Sequence, residues 1–234
     1  MNKNKSIDFV QIKNIFESIS NEYDFMNDLM TLRNHSKWKK EIAEIAIASS
    51  PKRILDIATG TGDIAINLSK IKGSKIEGVD ISGNMLKIAR KKIDKLKIDN
   101  IVLKTCEAEN LVFEDNHFDI VSIGYGVRNF SNLGKGLSES FRVLKKDGKL
   151  IILETSIPEN LIVKFMYTII TSIYIPIIAF IFSGKTKAYL YLLDSTKKFP
   201  PKNKFIKMLY RKGFEKVETR KKLYGASTIY IASK

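Results

Sequence analysis

The spacing of apolar residues changes at Pro51. Upstream, IKNIFESISNEYDFMNDLMTL and SKWKKEIAEIAIAS carry apolar side chains near the helical period, so each predicts a helix with one buried face. The first pattern breaks around residues 21–28. Ser36 is a candidate N-cap for the second, which stops before Pro51. Downstream the pattern alternates. RILDIA, KIEGVDI, NIVLKT, FDIVSIGY and GKLIILET predict strands, and GDIAINLSKI, GNMLKIARKKIDKL and LGKGLSESFRVLKK, placed among them, predict helices. Such alternation predicts a parallel sheet covered by helices on both faces. The closing runs FEKVETRKKL and GASTIYIAS read as two strands with no helix between them, hence a hairpin that adds an antiparallel strand. The expected fold class is α/β: a seven-stranded, mostly parallel sheet with a C-terminal antiparallel hairpin.

One segment departs from this rhythm. Residues 165–182, FMYTIITSIYIPIIAFIF, run for 18 positions without a charge. As a straight helix they would extend about 27 Å, against a hydrocarbon core of roughly 30 Å. Pro176 is expected to interrupt that helix. A single crossing of a membrane here would also separate the last strands from their sheet. The expectation is an apolar helical insertion that caps a pocket, touches a membrane, or both. One domain, 1–234, then divides into a helical N-terminal segment (1–50), a sheet core (51–156), the apolar insertion (157–200), and a C-terminal helix and hairpin (201–234).

Composition adds limits. With 44% hydrophobic and 28% charged residues, the 234-residue chain has an ordinary globular make-up. Its single cysteine, Cys106, excludes an intrachain disulfide and a zinc–thiolate cluster, and points to a reducing, cytoplasmic setting. Two histidines make a histidine-based metal site an unfavoured reading, so no metal is expected. The start, MNKNKSIDFVQIKNIF, lacks the apolar stretch of a secretory signal. The net charge of +15 is uneven: from Gly184 onward 14 Lys and Arg face 3 Asp and Glu, whereas the residues before it hold 26 against 22. A basic last quarter suits an anionic membrane surface or nucleic acid, or is simply a solvated lysine-rich face.

The chemistry gathers at RILDIATGTGD. GTGDIA matches G-x-G-x-x-G/A through Gly60, Gly62 and Ala65, a weak signal shared with dinucleotide enzymes. Acids near the strand ends sharpen it. Asp56 ends the first strand, Asp80 ends the second, and Glu107 follows the third. Asp80 is placed to accept from two ribose hydroxyls, which suits NAD or S-adenosylmethionine. A pyrophosphate favours backbone N–H groups without nearby anions; S-adenosylmethionine has no phosphate and brings a sulfonium and an ammonium. Asp56 and Glu107 therefore favour the cationic ligand, unless Asp56 merely satisfies the turn's own amides. Thr61 either reaches the methionyl carboxylate or braces the loop.

ILDIATGTGD, GVDISGNMLKIAR, AENLVFEDNHFDIVSIGYGVRNF and SFRVLKKDGKLIILE resemble the class I methyltransferases that methylate a ring carbon in quinone biosynthesis, the UbiE/MenG group. FESISNEYDFMNDLMTLRNHSKWKK resembles that group's entry segment, and AYLYLLDSTKKFP and KGFEKV match further on. The resemblance covers about residues 13–233. It implies a Rossmann-like class I fold, S-adenosylmethionine as cofactor, and contacts at Thr61, Asp80, Glu107 and Ala108. The chain departs from the group's usual pattern in places: ATGTGD replaces AGGTGD, Glu107 replaces Asp or Asn, Gly124 replaces a common serine, LRNH replaces LGIH, and Val112 replaces a proline.

The resemblance implies a polyprenyl quinol as substrate, with demethylmenaquinol first and a methoxylated polyprenyl benzoquinol of ubiquinone biosynthesis second. Carbon methylation needs an electron-rich ring, which loss of a quinol proton provides. Candidates near the quinol oxygens are Tyr23, Asp24, His35, Arg128 and Asn129. Arg128 stays cationic and would steady a phenolate or order a water, whereas His35 has a suitable ordinary pKa for taking a proton. The expected partners are the quinol and, peripherally, the inner face of a membrane; a homodimer is left open. An RNA methyltransferase or nucleic-acid binder is the rival class. It is weakened because 7 of the 40 basic residues are Arg and no aromatic–basic stacking motif is present.

Overall fold

A computed structural model describes residues 9–31 and 33–234. Residues 1–8, where the expected N-terminal segment begins, and Leu32 of LRNH lie outside the described residues. Seven strands form one sheet: β1 Arg53–Ile57, β2 Lys75–Asp80, β3 Ile101–Thr105, β4 Phe118–Gly124, β5 Leu144–Thr155, β6 Lys216–Lys222 and β7 Ser227–Ser233, in the order β3-β2-β1-β4-β5-β7-β6. β1 to β5 pair in parallel, and β7 runs antiparallel between β5 and β6. Strand order reverses beside β1, where the chain steps outward to β3 and then returns to β4. Such a switch point opens a crevice at the carboxyl ends of the strands. The edges are guarded by charge: β6, KVETRKK, is largely exposed and carries four lysines and arginines.

Two apolar cores cover the sheet's two faces. One gathers Leu55, Val121, Ile152 and Tyr230 under the helices α6 (Leu133–Val143) and α10 (Lys202–Arg211). The other gathers Ile54, Ile120, Ile151 and Ile229 under α3 (Asn34–Ile47) and α4 (Asp63–Leu68). A third cluster joins α1 (Phe9–Ile19), α2 (Tyr23–Thr31) and α5 (Gly83–Lys95) to α9 (Thr186–Lys198) through Ile19, Met26, Met85 and Tyr189.

Three local expectations change. The break in the N-terminal helices is shorter than the 21–28 predicted, because α2 already starts at Tyr23. α3 begins at Asn34, so Ser36 lies inside it, and its hydroxyl meets His35 Nε2 at 3.3 Å instead of capping. Pro176 does not interrupt its helix. α7 (Leu161–Ile169), a π-helical turn (Ile170–Tyr174), α8 (Ile175–Ile178) and a second π-helical turn (Ala179–Ser183) run on as one rod, Leu161–Ser183. The inward-facing residues explain the π turns. Tyr167, Thr171, Ile175 and Ala179 recur every four residues, and a 3.6-residue helix would rotate such a stripe steadily out of contact. The wider i→i+5 turns keep the stripe inward, and one of them ends two residues before Pro176, so the proline falls in the first turn of α8, where its missing N–H disturbs least.

Candidate active site

The crevice is walled by the ends of β1, β2 and β4. After β1 the chain turns through Ala58, Gly60 and Gly62, all left-handed at φ 53°, 56° and 84°. Gly62 is demanded twice over, since a Cβ there would also sit 3.0 Å from Ala89 Cβ on α5. Tyr125, just past β4, is left-handed too at φ 57°. Ala58 and Tyr125 thus place backbone strain on both sides of the crevice.

Among the cofactor candidates, Asp80 stands in the geometry that suits the role best. It closes β2, is buried, and lines the cleft beside Gly60, Ile81, Met85 and Ala108. Its oxygens accept from Gly60 N–H and Ser82 N–H, each at 2.8 Å. A carboxylate has about four lone-pair sites, so acceptor capacity remains toward the cleft. Burial pushes its pKa up to about 6, against the pull of those amides. An acid flanked by apolar side chains suits a ribose diol beside an adenine ring.

Asp56 sits elsewhere. It is wholly buried inside the sheet and accepts from Thr59 Oγ1 and Ser122 Oγ, both at 2.6 Å. The register explains the second bond, because Asp56 and Ser122 are partners across β1 and β4. Burial lifts the Asp56 pKa to about 6, with Ser122 and Thr59 opposing. The acid that pointed to a cationic ligand therefore acts first as a strut beneath the glycine turn. Thr59 stands where the resembling group usually has glycine, so this bond accompanies the departure ATGTGD. Glu107 is half-buried and accepts from Asn110 Nδ2 at 2.9 Å; its neighbours Ala108 and Glu109 line the cleft. Gly124 leaves room for Ile64, whose Cδ1 would lie 2.2 Å from any added Cβ.

Thr61 and Asp24, assigned by sequence to cofactor and quinol, meet each other. Thr61 Oγ1 donates to Asp24 Oδ1 at 2.7 Å. Asp24 Oδ2 lies 2.6 Å from Lys92, which also holds Asp63 at 2.7 Å, and Lys39 meets Asp63 at 2.8 Å. Burial alone would raise Asp63, but the two lysines outweigh it and hold its pKa at about 2. Glu17 on α1 accepts from Gly83 N–H at 2.7 Å, at the start of α5. These bonds clasp α1 and α2 over the cleft, which Phe9, Phe16 and Tyr23 narrow to about 70 Å³. Small-molecule sites usually measure about 300–1,000 Å³, so admitting a nucleoside requires these helices to move outward.

Beyond Tyr23 and Tyr125, which line both spaces, lies a second cavity of about 680 Å³. Its walls are mostly apolar: Trp38, Ile170, Ile175, Leu192 and Leu193 among others. Two candidate polar groups, His35 and Arg128, face it. Arg128 Nη1 reaches Glu154 Oε1 at 2.5 Å and the Tyr125 carbonyl at 2.8 Å, and Nε donates to Ser195 Oγ at 3.3 Å. Glu154 is fully buried, so its charge is matched by Arg128. Among the described residues no protein group accepts from Nη2, which leaves that edge for an oxygen in the cavity. His35 Nδ1 lies 2.9 Å from Thr31 Oγ1; burial and Lys39 lower its pKa, against Asp28, Asp63 and Asp24. Asn129 lines the cleft, with Nδ2 donating to the Tyr125 carbonyl at 3.4 Å.

A cleft lined by the buried acid Asp80 thus shares two tyrosines with a mostly apolar chamber. The family model of the ubiE/COQ5 methyltransferases matches residues 2–234. The chain belongs to this family. It is an S-adenosylmethionine-dependent methyltransferase with the Rossmann-like fold that its sheet order displays. Demethylmenaquinone methyltransferase of Chlorobaculum parvum is 41% identical over 228 residues, covering 95% of this chain and 92% of that protein. The ubiquinone/menaquinone biosynthesis C-methyltransferase UbiE of Rickettsia prowazekii is 38% identical over 240 residues, covering 98% and 96%. A Thermotoga maritima methyltransferase structure, a possible histamine N-methyltransferase by its description, shares the fold at TM-score 0.65 and 22% identity, over 94% of this chain and 99% of that one.

Several residues that brace or line the two spaces escaped the sequence reading. Glu154 ends β5 in LIILET and carried the same sign as Asp56, an acid closing an apolar strand. Glu109 is buried and accepts from Ser131 Oγ and Asn132 N–H, bracing the start of α6. Tyr125 and Glu17 had no readable signal, since their roles depend on partners far along the chain.

Proposed function

We propose that this methyltransferase converts demethylmenaquinol to menaquinol by methylating a ring carbon. The observation that carries this reading is the shared wall: Tyr23 and Tyr125 line both the Asp80 cleft, which takes S-adenosylmethionine once α1 and α2 move outward, and an apolar chamber suited to a polyprenyl quinol. S-adenosylmethionine supplies the methyl group, and the rest falls to the chain's own residues. Asp80 accepts from the ribose, with Ile81, Met85 and Ala108 beside the adenine. Asp56 and Thr59 keep the glycine turn in shape beneath it. Arg128, cationic and anchored on Glu154, directs Nη2 toward a quinol oxygen and favours its phenolate form. His35, kept neutral by burial, is the proton acceptor of this scheme. Alignment of carbon, methyl and sulfur is the largest expected contribution, on the order of 7–11 kcal/mol.

The Rickettsia relative, named for both quinone pathways, favours a second reading in which a polyprenyl benzoquinol is also accepted. In either case the enzyme works in the cytoplasm at the inner face of the membrane that holds its substrate. A homodimer fits this reading equally well, and light scattering decides it. The test is methyl transfer from labelled cofactor to the two quinols side by side. Faster labelling of the naphthoquinol is expected; labelling of the benzoquinol alone would overturn the first assignment, and labelling of neither would overturn both.

A further inference from the structure

The rod Leu161–Ser183 is 23 residues long, and its most apolar 18-residue window has a mean hydropathy of 2.1, yet 17% of that window is buried. Its inward stripe is spoken for, because Tyr167, Thr171 and Ile175 line the chamber and Ala179 is fully buried. Its outward side is not. Leu161 and Phe180, near its two ends, are 80% and 74% exposed, and Ile162, Phe165, Met166 and Ile177 lie exposed between them without lining the chamber. An apolar surface of that length is unusual on a protein facing water.

Both ends of the rod are fixed to the same body. Before it, Glu159 pairs with Lys202 and Lys221 on the C-terminal elements. After it, Lys185 pairs with Glu22 and with the Ser18 carbonyl on the N-terminal helices. A helix held at both ends against one domain cannot cross a bilayer without pulling that domain apart. It can lie in the membrane's surface plane. The charge agrees, since Lys164 lies on the rod, Lys185 and Lys187 follow it, and 14 basic residues face 3 acidic ones from Gly184 onward. Beside the rod the turn Leu223–Gly225 presents another apolar lip, with Tyr224 81% exposed and Leu223 lining the chamber.

We propose that the rod lies flat in the interface of an anionic bilayer, outer side down, and that the gap between it and the Leu223–Gly225 lip is a side door through which a lipid-borne substrate slides into the chamber. The occupant of the apolar surface is thus the bilayer itself. The quinol ring enters beneath Tyr167 and Tyr174 while its tail stays among the lipids. Interfacial helices of this kind settle about 5–10 Å deep and depend on anionic headgroups. This deepens the quinol reading and rests on it for the nature of the cargo.

The test uses the full chain with spin labels at Phe165→Cys and Phe180→Cys, the buried Cys106 being left in place. With vesicles containing phosphatidylglycerol, both labels are expected at one shallow depth in the same leaflet, and binding is expected to fall at least tenfold on vesicles of phosphatidylcholine alone. Labels in opposite leaflets, or labels that stay in water, would overturn the placement. A second arm uses the double variant Phe180→Ser/Ile181→Ser. Turnover of a long-tailed quinol in vesicles is expected to fall at least tenfold, with turnover of a tail-less soluble quinol within twofold of the parent. Equal loss on both substrates would refute the door. Failure of the unaltered chain to methylate either quinol would instead refute the substrate reading.

Discussion

Removing the charge of Asp56 gives the sharpest energetic prediction. Its carboxyl rises from an ordinary 3.8 to about 6 on folding, through burial that Ser122 and Thr59 counter only in part. At about 1.4 kcal/mol per pH unit, that rise corresponds to roughly 3 kcal/mol. The folded state holds the proton that the unfolded state releases between pH 3.8 and about 6. Folding stability supplied by this group is therefore full below that window and is lost as pH rises through it. In Asp56→Asn the side chain has the same shape, can still hydrogen-bond to both hydroxyls, and never ionises. At pH 4.5 the folded parent and the folded variant both carry neutral side chains, although Asp56 in the unfolded parent is already mostly ionised. At pH 7.5 the parent carries a fully buried charge and the variant none. Urea denaturation of both chains between pH 4.5 and 7.5 should show the variant gaining about 2 kcal/mol relative to the parent as pH rises, with about 1 kcal/mol of the full shift falling below that range. Asp80 titrates nearby in both chains and largely cancels. A difference that is flat with pH, or that moves the other way, would refute the claim that Asp56 is a desolvated strut.

Asp80→Ala should weaken binding of S-adenosylhomocysteine by about 10- to 100-fold, the loss of one or two hydrogen bonds to a charged acceptor, as read by calorimetry. Arg128→Gln should abolish most turnover and also destabilise the fold by about 3–5 kcal/mol, because Glu154 is left buried and unpaired; adding Glu154→Gln should restore much of the stability and none of the turnover. Gly62→Ala should cost about 1–3 kcal/mol through its left-handed backbone and the Ala89 contact, visible as a melting temperature several degrees lower. Asp24→Asn should loosen the clasp on α2, seen as faster amide exchange from Tyr23 to Thr31 at unchanged exchange in the sheet.

The sheet's centre was legible because β1, β4 and β5 carry apolar runs and the crossovers α5 and α6 are clearly amphipathic helices; β6 was read from its place beside β7, and the helix-free link from β3 to β4 left no mark of its own. The cofactor cleft was half legible. Asp80 and Gly60 stand where strand-end reasoning put them, but Asp56 was read as facing the ligand because a sequence shows the acid and not Ser122, its partner 66 residues away. The same blindness hid Glu154, 26 residues from the arginine that it anchors. Thr61 and Asp24 were each sent to a ligand when they are also hydrogen-bonded to one another. The rod was legible as apolar and misread at Pro176, because a four-residue stripe announces widened turns only when one knows which side faces in.

The central claim is methylation at carbon, within a chamber built for a quinol. Product from 13C-methyl-labelled S-adenosylmethionine and demethylmenaquinol, examined by NMR, tests it directly. The label is expected on a ring carbon, with both oxygens free. A methyl ether, or no transfer to a quinol that reaches the chamber, would contradict it.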